Sequence, residues 1–266
     1  MTTISALYVV GSDPEFLRES LQSVAPFVDQ LVIIANQWQE GSAVSQILSE
    51  FPSAEIQRHA GSFKDVGERA FRNMGIAAST SEWIMRVDSD DILSNGWREE
   101  MDRYLHPEFG ACTVGFYEHM GSYEYVHKNC EQTRILTFLK RGPGLRAGPG
   151  IDDLGYHSSF LYDGPCGHCD KVSYMHYGYA RTDMVARLST NILRGDHGSD
   201  KAAQAQTVAR IESDGAWAHL PFVTPIPYPV EMIPYCMREK FGKTYKLELS
   251  PEGKILSRSN IPKSNG

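Results

Sequence analysis

The sequence predicts an α/β protein built on a mostly parallel sheet flanked by helices. Three observations carry that expectation. Strand-like and helix-like segments alternate over the first 80 or so residues, the pattern that lays helices across a parallel sheet. The run Trp83-Ile84-Met85-Arg86-Val87 reads as a mostly apolar strand that ends abruptly in Asp88-Ser89-Asp90-Asp91, and ligands of open α/β sheets bind outside the carboxyl ends of the strands. The chain has 266 residues, 41% apolar and 22% charged, with a formal net charge of −7, enough for one large α/β domain or one domain with an extension.

Residues 4–10 (Ile-Ser-Ala-Leu-Tyr-Val-Val) read as the first strand, and Gly11-Ser12-Asp13-Pro14 supplies turn and helix-start chemistry for a helix running to about Val24. Residues 31–35 read as a strand, 44–50 as a helix and 54–58 as a third strand. A helix is expected over residues 66–78, with Val66, Ala70, Phe71, Met74, Ala77 and Ala78 on its apolar face. The acidic strand follows these three β-then-helix units, and another helix is expected from near Gly96. Beyond it, residues 111–119, 123–127 and 134–139 read as strands, with a turn at Gly121-Ser122. Residues 183–194 and 201–211 read as helices. A proline-rich run (Pro221, Pro225, Pro227, Pro229) then leads into a helix over 230–241.

Side chains alternate along a strand, so Asp88 and Asp90 project to one side while Asp91 begins the turn. Two hard oxygen ligands at a strand end suit Mg²⁺ or Mn²⁺ held together with substrate phosphates. Two plainer readings compete. Asp91 or Ser94 would cap the following helix. A calcium loop would use Asp88, Asp90 and Glu99, but it requires glycine at its sixth position, which here is Leu93.

The stretch Phe63-Lys64-Asp65-Val66-Gly67-Glu68-Arg69-Ala70-Phe71-Arg72-Asn73-Met74-Gly75, then Ala77-Ala78, Trp83-Ile84 and Asp88-Ser89-Asp90-Asp91, resembles the core signature of family-2 glycosyltransferases of the GT-A fold. The resemblance covers about the first 105 residues. It implies a GT-A architecture: a Rossmann-like sheet, a smaller acceptor-side sheet and a C-terminal extension. The expected divisions are a glycosyltransferase domain over 1–220, with a nucleotide-sugar half (1–105) and an acceptor half (106–220), and an extension over 221–266. It implies sugar transfer from a nucleotide-sugar, best a UDP-linked hexose. Val10, Asn36, Asp65, Arg72, Asp88 and Ser89 would contact the donor, and Asp88, Asp90, Asp91 and a late His176 would serve Mn²⁺ or Mg²⁺.

The second half follows the family order. Gly142-Pro143-Gly144 and Gly148-Pro149-Gly150 lead into Asp152 and Asp153, and His176 follows in Tyr174-Met175-His176-Tyr177. By resemblance Asp153 is the catalytic base, with Asp152 beside it, taking a proton from the acceptor hydroxyl. His157 competes for either the base or the metal role. One departure stands out: many family members carry an Asp at the end of the second strand, where this chain has Asn36-Gln37-Trp38-Gln39. The Asn36 amide can still bond a base edge, and Trp38 can stack on the base or pack. Asp65, just before a helix, is equally an N-cap.

Five scattered cysteines do not form a disulfide framework. Cys166-Gly167-His168-Cys169 lacks the second pair a structural zinc site needs, and the Gly-Pro stretch at 142–150 reads as a mobile loop. No run reaches transmembrane length and no secretory leader is evident, so a cytoplasmic location is expected. The acceptor class stays open among envelope glycans, lipid-linked sugars, proteins and modified bases. The mildly basic C-terminal tail sits on an acidic chain, which disfavours strong nucleic-acid binding. Nucleotidyl transfer is a second reading, disfavoured because Gly11-Ser12-Asp13-Pro14 has no Lys or Arg. A non-catalytic binding protein derived from the same fold is a third.

Overall fold

A computed structural model describes residues 2–120, 125–127, 134–149, 159–179, 225–227, 232–237, 245–249 and 255–260. In chain order the elements are β1 (Ile4–Val10), α1 (Leu17–Val24), β2 (Gln30–Ala35), α2 (Ala43–Ser49), β3 (Glu55–Arg58), α3 (Phe63–Val66), α4 (Glu68–Ala78) and β4 (Trp83–Val87). They continue with β5 (Asp91–Leu93), α5 (Trp97–Tyr104), β6 (Ala111–Met120), β7 (Tyr125–His127), β8 (Arg134–Lys140), β9 (Arg146–Ala147), β10 (Phe160–Leu161) and β11 (Cys166–Tyr179). Last come β12 (Pro225–Pro227), β13 (Tyr245–Leu249) and β14 (Ile255–Asn260). The chain divides into two compact units, Met1–Phe116 with Gln132–Met175, and Tyr117–Glu131 with His176–Gly266.

In the first unit β1 pairs in parallel with β2 on one side and β4 on the other, and β2 pairs in parallel with β3. The order β4-β1-β2-β3 reverses direction between β1 and β4, and that switch point is where open α/β sheets bind ligands. β8 extends the sheet antiparallel to β4 and is followed by β6. Every residue of β1 is buried, as befits a central parallel strand covered on both faces. On one face α1 contributes Leu17, Leu21 and Val24 to a cluster with Tyr8, Ile33 and Met85. On the other, α4 sets Phe71 against Leu7, Val9, Val32 and Ile34.

The expected strands and helices of the first 105 residues are present, with revised boundaries. The helix expected over 66–78 is two helices, α3 and α4, because Gly67 between them holds a φ of +86°, a conformation glycine adopts without penalty. β5 was not foreseen. Its three residues are all buried and pair with β11. The 142–149 stretch, expected as a mobile loop, is a turn closed by Leu145 N–H to the Gly142 carbonyl (3.1 Å) and then β9, which pairs antiparallel with β10. The acidic pair Asp152 and Asp153, His157, the Gly121-Ser122 turn and the helices expected at 183–194 and 201–211 lie outside the described residues.

In the second unit β12 pairs antiparallel with β7. Its two prolines suit the edge position that β12 occupies in its sheet, since proline donates nothing to a ladder. His119 and Tyr177 stack at 4.2 Å. The helix expected over 230–241 is a short 3₁₀ turn at Tyr235–Met237 in the described part. Pro234 precedes it, lacks an N–H, and gives its carbonyl to Met237 N–H (2.9 Å). β13 and β14 form an antiparallel hairpin in a tail where no strands were expected.

Gly75 lets α4 press directly onto β1: a Cβ there would lie 2.0 Å from Leu7 Cδ1, and Leu7 is fully buried. Gly75→Val should therefore cost about 1–3 kcal/mol of stability through overpacking, read as a lower urea midpoint with an unchanged slope. An unaltered midpoint would show that α4 and β1 are not packed this closely.

Candidate functional site

The carboxylates leave β4 through a tight turn. Asp91 N–H donates to the Asp88 carbonyl (3.1 Å), the i to i+3 bond of a β-turn, with Ser89 and Asp90 at its centre. The Asp91 side chain accepts from Asp88 N–H (3.3 Å), closing the turn from its other end. Ser20 of α1 braces the same turn by donating to the Asp91 carbonyl (2.6 Å). Neither Asp91 nor Ser94 caps α5: its N-cap is Gly96 in the left-handed region, with no side-chain cap bond. The capping alternative is therefore excluded, and the acidic turn is not explained by helix capping.

Asp88 is held by two arginines. Its Oδ1 accepts from Arg72 Nη2 (2.5 Å) and its Oδ2 from Arg86 Nη2 (2.5 Å). Arg72 reaches down from α4 and also donates Nε–H to Glu68 one turn earlier (2.9 Å). Burial alone would depress the Arg72 guanidinium, but the charges of Asp88 and Glu68 outweigh it and hold the group above its ordinary value. Arg72 is thus a permanent buried cation at the end of β4. Arg72 Nη1 and Arg86 Nε are buried and have no partner among the described residues.

The metal-type ligands that come together are Asp90, Asp91 and His176. Each offers one ligand atom, and the three atoms lie within 4.8 Å of one another. Asp90 and Asp91 are 6% and 2% exposed. His176 directly follows Met175 on the uninterrupted β11, and Tyr174, two residues before it, donates its hydroxyl to the Arg86 carbonyl. Burial, then Asp91 and Tyr8, push the Tyr174 phenol well above its ordinary value, so it remains a neutral donor. Two hard carboxylate oxygens and one imidazole nitrogen fit Mn²⁺ or Mg²⁺ in preference to softer ions. Asp88, expected as a ligand, is not in this group.

The remaining expected residues are placed as follows. Val10 has its side chain in the core and its carbonyl on Asn36 N–H (2.9 Å). Asn36 is buried beside Gly11. Ser89 is half-buried in the acidic turn. Asp65 accepts from Ser62 N–H (2.9 Å) and hydroxyl (2.6 Å), while Asp65 N–H donates back to the Ser62 hydroxyl (3.3 Å), a reciprocal cap at the start of α3. Trp38 packs against the core with the Arg58 guanidinium 4.9 Å above its ring. It also lines a cleft of about 380 Å³ with Ser12, Gln37, Gln39 and Ala60.

Cys166 and Cys169 make no metal group, because residues three apart on a strand face opposite sides. Cys166 is exposed and Cys169 buried. His168 instead meets Thr113 (2.8 Å) and Asp170 (2.7 Å). Two contributors were given no role from sequence. Arg86 sits in an otherwise apolar strand, a signal that was visible but unread. Asn73 Oδ1 accepts from Ala147 N–H (2.8 Å), tying β9 to the helix that carries Arg72.

No family model matches the chain, and no curated protein matches it. Among solved structures it is similar to S. aureus TarS 1–349, at 10% identity over 82% of this chain and 72% of that one, with a TM-score of 0.48. It is also similar to the same TarS fragment in complex with UDP-GlcNAc (12%, 82% and 73%, 0.45). A third is the mannosyltransferase PcManGT from Pyrobaculum calidifontis in complex with GDP-Man and Mn²⁺ (13%, 83% and 71%, 0.46). Likenesses of this size assign no residue a role. Among the described residues, no helix is long and apolar enough to cross a membrane.

Arg72 and Arg18 make ion pairs of similar length but opposite burial, with Arg72 4% exposed and Arg18 45% exposed. Arg72→Met should destabilise by about 3–5 kcal/mol because it removes the ion-pair partner of Glu68 and one of the two that hold Asp88. Arg18→Met should cost about 0–1 kcal/mol. Chemical denaturation of the two variants checks this, and equal losses would contradict the buried cluster.

Proposed function

We propose that this chain is a metal-dependent, inverting glycosyltransferase of the GT-A type that moves a hexose from a nucleotide-sugar to a hydroxyl acceptor. The observation that carries the reading is the convergence of Asp90, Asp91 and His176 beyond the carboxyl end of β4, next to the β1/β4 switch point. It is supported by the motif spacing through Arg72-Asn73 and Asp88-Ser89-Asp90-Asp91, which resembles the family signature.

Asp90, Asp91 and His176 would hold Mn²⁺ or Mg²⁺. Bound there, the cation supplies charge stabilisation for the departing diphosphate. Arg72 and Arg86 orient Asp88, and the donor N–H groups they leave unpaired suit the ribose or phosphate oxygens of the donor. Ser89 and the main chain at Val10 and Gly11 border the same strand ends. Asp153 is the proposed general base, with Asp152 its neighbour. One carboxylate takes the acceptor proton as the hydroxyl attacks the anomeric carbon from the face opposite the diphosphate, which inverts that centre. Residues 1–105 form the donor half and 106–220 the acceptor half in this scheme, with 221–266 as an extension. The acceptor is a hydroxyl-bearing glycan, lipid-linked sugar, protein or modified base.

Binding of a nucleoside diphosphate, measured by calorimetry, should require Mn²⁺ and should weaken at least about tenfold in Asp90→Asn and His176→Ala. Each removes a cation ligand whose loss typically costs as much as the outer contacts that cost 10–100-fold. Equal affinity in EDTA would exclude the metal-diphosphate site.

Asp153→Asn should lower turnover by about two to four orders of magnitude, the worth of general-base catalysis, while donor affinity stays unchanged. Full activity would move the role to Asp152 or His157. A product with the donor's anomeric configuration retained, seen by NMR, would refute the single displacement.

A further inference from the structure

Among the described residues, three polar atoms just past the ends of β2 and β3 lack a partner, on the face that α4 covers. Both atoms of the Asn36 amide, Oδ1 and Nδ2, and the His59 ring nitrogen Nε2 are shielded from solvent without a hydrogen bond among the described residues. Asn36 is 2% exposed. Register puts these groups side by side. Ala35 pairs with Arg58, His59 N–H donates to the Ala35 carbonyl (2.8 Å), and Trp38 N–H donates to the His59 carbonyl (3.0 Å). Asn36 and His59 are therefore opposite one another and share a face.

That face is fixed independently from both residues. Asn36 lies two positions past Ile34, and the His59 ring meets Phe71 edge-on at 5.5 Å. Ile34 and Phe71 belong to one buried cluster. Gly11 joins them from β1: a Cβ there would meet the Asn36 amide alone, 3.7 Å from Oδ1 and 4.0 Å from Nδ2. Glycine thus keeps the approach to the amide free of side chain. The cleft lined by Ser12, Gln37, Trp38, Gln39 and Ala60 is built from the residues that follow Gly11, Asn36 and His59 in sequence.

A buried amide with neither bond made is destabilising and calls for an explanation, and a bound ligand is one that supplies both bonds at once. An amide presents an acceptor beside a donor, and here no neighbour fixes which atom lies where. It pairs with a ring N–H beside a carbonyl, as in uracil. Turned over, it pairs equally with a ring nitrogen beside an amino group, as in cytosine. A carboxylate accepts only, so it would set one oxygen against O4 of uracil or against the bare ring nitrogen of cytosine. The His59 Nε2, carrying its proton, suits the second carbonyl oxygen that both pyrimidines share.

Resting on the donor reading above, we propose that Asn36 and His59 read the base of the donor as a pyrimidine without distinguishing uracil from cytosine. Asn36 meets the variable edge by turning its amide, and His59 meets the oxygen common to both bases.

Calorimetry with Mn²⁺ and either UDP or CDP tests this on the full chain. The wild type should bind the two within about threefold of each other, well inside the ten- to hundredfold worth of one bidentate base contact. Asn36→Asp should weaken both nucleotides by roughly ten- to a hundredfold, because each base then sets an acceptor against an acceptor-only group. Asn36→Leu and His59→Phe should weaken both nucleotides alike while leaving the Mn²⁺ requirement intact. Thermal melting controls for folding, and Asn36→Leu should melt no lower than wild type, since it removes an unsatisfied group. If Asn36→Asp does not fold, the wild-type ratio and Asn36→Leu decide.

A wild-type preference above tenfold, an Asn36→Asp variant that binds both nucleotides undiminished, or undiminished binding by Asn36→Leu would each overturn the proposal while leaving the donor reading in place. Binding of GDP or ADP with Mn²⁺ but of neither UDP nor CDP would do the same. If no nucleoside diphosphate binds with Mn²⁺, the donor reading itself falls.

Discussion

The charge chain Glu68, Arg72, Asp88, Arg86 is the constraint on which the rest of the site depends. It joins α4 to the end of β4 at the point where the sheet reverses its order. Four acidic side chains, Glu68, Asp88, Asp90 and Asp91, crowd this end of the unit, and without compensation their desolvation and mutual repulsion would oppose folding. The buried Arg72 and half-buried Arg86 guanidiniums offset half of that charge, on Glu68 and Asp88. Asp90 and Asp91 lie with His176 in one group of metal-type ligand atoms. The reach of the two arginines thus separates Asp88 from that group.

The same strand ends retain polar atoms without a partner among the described residues, at Asn36, His59, Arg72 and Arg86. Elsewhere in the first unit, β1 is buried throughout and the apolar clusters on its two faces are filled by α1 and α4. Among the described residues of the first unit such atoms lie at the strand ends, Asp102 Oδ1 on α5 apart, which is the pattern expected when binding rather than stability selects a residue.

Much of the donor half was legible because its signals are local. Alternation of apolar runs with helical periodicity located β1 through β4 and the helices between them, and the strand ending in Asp88 pointed to the carboxyl edge. The split at Gly67 was missed because a φ of +86° leaves no trace in periodicity. β5 was missed because three residues following an acidic turn look like part of that turn until β11 pairs with them. The assignment of Asp88 to the metal came from strand alternation and from the family resemblance. Only the tertiary approach of Arg72, sixteen residues earlier, and of Arg86 shows that both its oxygens are engaged. The tether from Asn73 to Ala147 likewise depends on a contact that spacing does not encode, whereas the capping role of Asp65 was legible from its place before a helix.

The proximity of Asp90, Asp91 and His176 gains functional meaning only if a cation there is bonded to the donor's diphosphate. Phosphorus electron-nuclear double resonance on the Mn²⁺-loaded protein with UDP examines that bond directly. Strong phosphorus hyperfine coupling to Mn²⁺, abolished in a variant lacking the Asp90 carboxylate, is the result expected of this site. Bound Mn²⁺ and bound UDP with no phosphorus coupling would contradict it.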